Sequence, residues 1–298
     1  MSPFALISSR DLDALVVAGA LFVAATLATA LLVACAPRLG LVDDASDAPL
    51  RKLHRRAVPL VGGSVLALVL GAWVLVRGVE VVGGALVGGI AFDPRAVLVA
   101  CALAFVTGLV DDMARKGLGP LAKLVGQTAA GIALARGLQL DGESAALLPQ
   151  ALAVFCAVLA QNAANTFDNA DGALCAVASA GLVLATPFAG ATLAFLPWNL
   201  LRARGSHTPR AWLGDSGSHL LGILLLTTPV AWGALILPVA DLARVVAVRL
   251  RAGDPIWRGD RRHLAHALEA RGHGPARVAL LLVLAALPGV ALARYWPG

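Results

Sequence analysis

The sequence predicts an all-α fold: a polytopic transmembrane helical bundle of about ten spans, built as a single integral membrane domain over residues 1–298. Three observations carry this reading. Apolar residues make up 59% of the chain and charged residues 14%, against roughly 25% charged in an ordinary soluble domain, and the mean hydropathy is +0.81. The apolar residues come in long blocks and do not alternate, which excludes an outer-membrane barrel. The charges gather in compact segments between the blocks. A disordered chain is excluded by the same composition.

The blocks justify the spans in order. Residues 14–36 carry no charge; the run is too long for a signal-peptide core and lacks a cleavage site, so it is expected to stay as the first span. A polar stretch of both signs, 38–56, separates it from the second span, 57–76. Residues 81–92 are apolar and Gly-rich but too short to cross. The third span, 96–110, ends at Asp111-Asp112; the fourth, 118–135, is interrupted only by Lys123; the fifth, 144–167, is uncharged and ends in Asn-rich sequence. Residues 172–201 carry no charge either. As one helix they would be about 45 Å long against a hydrocarbon core of about 30 Å, so Pro187 and Gly190 are expected to split them into two short crossings. Pro229, Gly233 and Pro238 divide 216–250 in the same way, and 278–293 is the last span. No internal repeat of the transporter kind is visible.

The basic residues orient this count. Five polar loops (37–56, 111–117, 163–171, 202–215 and 249–277) hold 17 of the 24 Lys and Arg. The other side has Arg10, Arg77, Arg95, Arg136 and Arg294. The bias puts the five loops in the cytoplasm and both termini outside. It also accounts for the net charge of +6 and the pI near 9.8 without nucleic acid as a partner. Cys35, Cys101, Cys156 and Cys175 lie in apolar stretches without metal-ligand spacing and read as small core residues. Most of the six tryptophans read as interface anchors.

The acids converge on that one face, and each admits two readings. Asp111-Asp112 closes a span at the unfavourable end of the helix dipole, where a divalent cation or a proton would relieve the repulsion; a solvated helix end is the plainer reading. In Asn162-x-x-Asn165-x-x-Asp168-x-x-Asp171-Gly172, polar residues three apart would stack as a ladder of amides and carboxylates suited to a hard cation such as magnesium, or form Asx-turns in a polar loop. Gly214-Asp215-Ser216-Gly217-Ser218 opens a span, where backbone amides could meet a phosphate or Asp215 could simply cap the helix. Two basic patches complete the set: Arg51-Lys52-x-His54-Arg55-Arg56, before Pro59-Leu-Val-Gly62-Gly63, and Asp260-Arg261-Arg262-His263-x-x-His266. His207, His219 and His273 carry no assigned role. Basic and acidic loops on one face suit an anionic substrate bound with magnesium, and chemistry at phosphate by charge neutralisation.

The order of these motifs, with Lys123-Leu-x-x-x-Gln127 between the second and third, resembles the polyprenyl-phosphate N-acetylhexosamine-1-phosphate transferases, glycosyltransferase family 4, over about residues 37–275. The first motif is most similar to the branch acting with N-acetylglucosamine and undecaprenyl phosphate. The resemblance implies transfer of a sugar 1-phosphate from a UDP-sugar to a polyprenyl phosphate with release of UMP, as the first membrane step of an envelope glycan, in the bacterial inner membrane with the site facing the cytoplasm. It implies a magnesium cofactor, with manganese as a substitute, held by Asn165 and Asp215. It gives Asp111 and Asp112 to the acceptor phosphate and Asp168 and Asp171 to the nucleotide-sugar side, with His263 as a further catalytic group. Arg51, Lys52, His54, Lys123, Asn162, Arg261 and His266 would bind substrate. Asp241 would be a structural partner of the last loop, and a homodimer stays open.

Three features depart from the family pattern: Asn169 stands where Gly is common, Ala265 replaces a His, and residues 200–212, with Arg202, Arg204, His207 and Arg210, form a longer stretch. Three other readings stay open: a transferase of the phospho-N-acetylmuramoyl-pentapeptide kind, a transporter of a phosphorylated metabolite, and an inactive lipid-phosphate binder.

Overall fold

The computed structural model describes residues 9–43, 57–85, 89–114, 117–203, 208–256 and 261–296. The chain is mostly helical. In order, the helices are α1 (Ser9–Leu39), α2 (Gly62–Arg77), α3 (Pro94–Met113), α4 (Pro120–Arg136), α5 (Leu147–Phe167), α6 (Ala173–Leu182), α7 (Ala189–Leu200), α8 (Gly214–Thr227), α9 (Ile236–Ala252), α10 (Leu264–Glu269) and α11 (Pro275–Tyr295). Five stretches are long and apolar enough to cross a membrane: Asp11–Leu39, Pro94–Met113, Leu147–Phe167, Ala231–Ala252 and Pro275–Tyr295. The others are shorter. α6, at 10 residues, rises only about 15 Å.

Local sequence sets the boundaries. Pro94, Pro120 and Pro275 each stand at a helix start, where the missing N–H loses nothing. Asp93 caps α3 by accepting from the Arg95 backbone N–H at 2.7 Å. The uncharged run 172–201 breaks where the prolines predict, in a turn at 183–188 that includes Pro187. The run 216–250 breaks at 228–230 and passes through a 3-10 turn, Ala231–Leu235, into α9.

The structure adds short strands that the hydropathy pattern does not reveal. β1 (Val42–Asp43) pairs with β2 (Val58–Pro59). The Gly-rich segment after α2 supplies β3 (Gly84–Ala85) and β4 (Ile90–Phe92) to an antiparallel four-stranded sheet, completed by β5 (Leu138–Leu140) and β6 (Glu143–Ser144). This sheet caps the end of the bundle where α3 begins and α4 ends. Two- and three-residue strands are too short for a period-2 signal to show.

α8 is the central helix, packed against α2, α3 and α5, and ten of its fourteen residues from Ser216 to Leu225 are buried without a break. Glycine permits the close approach. A Cβ on Gly108 of α3 would fall on the backbone of Asp215 and Ser216, and one on Gly63 of α2 on Gly217 N. Outward, Leu15, Leu75, Leu147 and Phe155 are exposed, as suits helices solvated by lipid tails. Cys101 and Cys175 are core residues, whereas Cys156 is exposed, a correction to the core reading. Trp73 is buried and stacks on Phe188 with centroids 6.1 Å apart, so it anchors the interior and not a membrane interface.

Candidate active site

The ends of α3 and α5 and the starts of α4 and α8 bring the acids of three separate motifs together. Asp112, Asn165, Asp168, Asp171 and Asp215 line one cleft of about 280 Å³, with Trp212 on its wall. Arg51, Lys52 and His54 lie outside the described residues, as does Asp260.

Asp112 has a specific task. Its Oδ1 accepts from the Asp215 backbone N–H at 2.8 Å, and its Oδ2 from the Ser216 backbone N–H at 3.0 Å and the Ser216 hydroxyl at 2.6 Å. The last turn of α3 thus caps the first turn of α8. Gly214 makes this possible: its φ is +78°, and a Cβ there would strike the Asp112 carboxylate. The expectation that these amides face a phosphate is thereby corrected. They face a carboxylate of the same chain, since a buried helix start must satisfy its first N–H groups.

Lys123 joins the other two acids. Its Nζ lies 2.8 Å from Asp111 Oδ2 and 2.5 Å from Asp215 Oδ2. Asp111 also accepts from the Leu118 backbone N–H. The amine therefore holds two carboxylates from α3 and α8 side by side, and neither Lys123 nor Asp111 lines the cleft.

The cleft's own oxygens are differently placed. Asn165 Nδ2 donates to Ser218 Oγ at 3.1 Å, and among the described residues no donor reaches Asn165 Oδ1 or the Asp168 carboxylate. Burial, and then the charges of Asp215, Asp171 and Asp112, push the Asp168 pKa well above the usual carboxylate range. Burial also raises Asp171, although Arg202 and Trp212 pull it down. Arg202 pairs with Asp171, and Trp212 Nε1 donates to it at 3.1 Å. Open hard-oxygen atoms on Asn165, Asp168 and Asp215 fit a hard cation. Among the described residues no group of three or more His, Cys, Asp or Glu forms a closed metal site.

The last basic loop is built separately. His263, 4% exposed, places Nδ1 2.9 Å from Asp241 Oδ2, and Asp241 also accepts from the Leu264 N–H at 3.0 Å and Arg244 Nη2 at 2.8 Å. Asp241 is thus the structural partner the sequence implies. Arg261 and His266 both reach Glu269. None of Arg261, His263 and His266 lines the cleft, although Glu269, which Arg261 and His266 reach, lies close enough to act on the Asp171 carboxylate. Asn162 also stays beneath the cleft, donating to Gln127 Oε1 at 2.7 Å and to Val158 O at 2.9 Å.

Sequence reasoning missed several residues here. Asn199 is buried, accepts from Gly172 N at 3.1 Å and donates to Ala211 O at 3.2 Å, fixing the backbone on both sides of the cleft. No spacing announces it. His219, set aside as incidental, is fully buried beside Gln127. Its position four residues after Asp215 is the signal that would have found it.

A sequence profile described as glycosyl transferase family 4 matches residues 94–233. The chain is 31% identical to the decaprenyl-phosphate N-acetylglucosaminephosphotransferase of Mycobacterium tuberculosis, over 84% of this chain and 74% of that protein. It is 30% identical to the protein of the same name from Mycobacterium leprae, over 78% and 72%. A Bacillus subtilis protein named "Probable undecaprenyl-phosphate N-acetylglucosaminyl 1-phosphate transferase" is 26% identical over 79% and 71%.

Proposed function

This chain belongs to glycosyl transferase family 4, and from that premise we propose that it transfers N-acetylglucosamine 1-phosphate from its UDP-sugar to a polyprenyl phosphate, releasing UMP. The observation that carries the reading is a cleft in which Asn165 and Asp168 present open oxygens next to Asp215, whose other side is paired with the Lys123 amine. An acceptor phosphate oxygen attacks the β-phosphorus of the UDP-sugar, the bond from that phosphorus to the bridging oxygen breaks, and UMP leaves with the electron pair. A phosphate monoester loses its second proton near pH 6, so the nucleophile needs little activation. What the site has to supply is relief of repulsion between anions.

The chain's own residues supply most of the order. Asp112 pins the first turn of α8, Lys123 holds Asp111 against Asp215, and Arg202 with Trp212 keeps Asp171 at the cleft wall. Magnesium bound by Asn165, Asp168 and Asp215 would neutralise phosphate charge and orient the pyrophosphate. The same reading counts the ten long and short apolar helices, α10 apart, as spans of a bacterial inner membrane, with the cleft on the cytoplasmic side. The positive-inside bias supports that orientation.

The test is chromatography of the nucleotide product. Purified protein with UDP-N-acetylglucosamine, polyprenyl phosphate and magnesium should give stoichiometric UMP and a polyprenyl-diphosphate sugar, and chelator should stop it. UDP as the sole product, or turnover with a prenol lacking phosphate, would refute the reading.

A further inference from the structure

Lys123, Asn165 and Asp215 come to the site from α4, α5 and α8. One helical turn deeper in the bundle each of these helices carries a second polar side chain. Gln127 stands four residues after Lys123, Asn162 three before Asn165, and His219 four after Asp215. α4 and α8 run away from the site and α5 toward it, so each second residue lies beneath the first on the same helix face.

One side chain touches the other two. Gln127 Oε1 accepts from Asn162 Nδ2 at 2.7 Å, and Gln127 Nε2 lies 3.3 Å from His219 Nε2. The Gln127 backbone carbonyl also accepts from Gln161 Nε2 at 3.2 Å. Gln127 is 2% exposed and His219 is fully buried. Packing alone does not require them, because α5 already meets its neighbours through glycine: a Cβ on Gly222 of α8 would strike the backbone of Ala160 and Gln161, and one on Gly131 of α4 would crowd the Val154 backbone. The network is not even complete. Gln161 Oε1 and His219 Nδ1 are buried without a partner among the described residues. Polar groups left partly unsatisfied among apolar helices are a poor source of stability. They are a good source of fixed direction, since hydrogen bonds, unlike apolar contacts, set rotation and height.

We propose that Gln127 is a positioning residue: through Asn162 and His219 it fixes the relative height and rotation of α4, α5 and α8, and with them the spacing of Lys123, Asn165 and Asp215. The inference rests on the transferase reading above.

Two variants test it. Gln127→Met removes the hydrogen bonds at nearly constant volume. The pair Gln127→Leu with His219→Leu replaces both partners by apolar groups, which is close to neutral for stability, and Asn162 keeps its bond to Val158 O. The paired variant should unfold at or near the wild-type temperature. In both variants kcat for UMP release should fall about tenfold to hundredfold, the scale of a displacement of about 1 Å at a reacting centre. UMP affinity, measured by calorimetry without magnesium, should stay within about twofold of wild type, because UMP lacks the pyrophosphate and Asp171 is held by Arg202 and Trp212, outside the three helices. A kcat within about twofold of wild type in either variant overturns the proposal, as does a parallel loss of UMP affinity and kcat. If the paired variant does not fold, the kcat of Gln127→Met set against its UMP affinity decides. If neither folds, Gln127 is a folding element and the proposal fails. A wild-type protein that makes no UMP refutes the transferase reading itself, a result distinct from any difference among variants.

Discussion

Asp112→Asn separates the work of Asp112 from that of the acids around it. Three donors converge on the two oxygens of this carboxylate: the Asp215 and Ser216 backbone N–H groups and the Ser216 hydroxyl. An amide of the same shape has one oxygen and one NH2. If the NH2 takes the Oδ1 position it confronts the Asp215 N–H; if it takes the Oδ2 position it confronts the Ser216 N–H. Either way one backbone donor at the start of α8 is left without an acceptor, which costs about 1–3 kcal/mol. Neutralising this carboxylate also relieves the cost of its burial and its repulsion by Asp215, so the lost charge adds nothing to that cost. A cost near 2 kcal/mol is about a 30-fold change in the folding equilibrium. In a chain of this length it should lower the Tm by about 4 °C. Thermal unfolding in detergent, followed by intrinsic fluorescence, reads this. UMP release should fall as well, because Asp215 rides on the turn that Asp112 caps. Asp168→Asn is the contrast. No described residue donates to Asp168, and its charge is repelled by Asp215, Asp171 and Asp112, so neutralising it should leave the Tm unchanged or higher while activity is lost. An Asp112→Asn protein with the wild-type Tm would refute the capping argument.

Other perturbations test the remaining parts of the site. Gly108→Ala places a methyl group 2.3 Å from the backbone of Asp215 and Ser216, and the contact must open by more than about 1 Å to reach the ordinary 3.5–4.0 Å; activity should fall about a hundredfold with about 1–3 kcal/mol of destabilisation, and near-normal UMP release would sink the reading. Lys123→Met leaves Asp111 facing Asp215 without a cation; since all three side chains keep some solvent, the loss of stability should be about 1–3 kcal/mol, and UMP release should drop at least about a hundredfold. A Tm at or above wild type would count against Lys123 as the bridge. For orientation, Arg271→Cys and Ser144→Cys, both at exposed positions, should label from the cytoplasmic and the outer side respectively; labelling from one common side would overturn the topology.

Much of the protein was legible before its structure. Apolar blocks located the helices, and Pro187 and Pro229 the breaks at 183–188 and 228–230, because burial in lipid demands long runs and broken runs need broken backbones; Gly190 and Pro238, read as further breakers, lie inside α7 and α9. Asp111, Asp112, Asp168, Asp171 and Asp215 were found because carboxylates are rare in such a chain and stand out at span ends. Asp241 was read as a partner of the last loop, and it binds His263. The strands at 84–92 and 138–144 were hidden, since their pairing links segments about fifty residues apart and each is too short to carry a pattern.

The sequence by itself determined which side chains bear charge, on which helices, and near which helix ends. It could not assign their duties, because a carboxylate's role depends on which donors reach its oxygens. Asp111 and Asp112 are neighbours with the same chemistry, yet one meets Lys123 and the other caps α8, since successive residues on a helix point about 100° apart. The glycines at 63 and 108 are equally mute in the sequence. Their meaning appears once α8 lies against α2 and α3, where only a missing side chain lets the backbone carrying Asp215 come close enough.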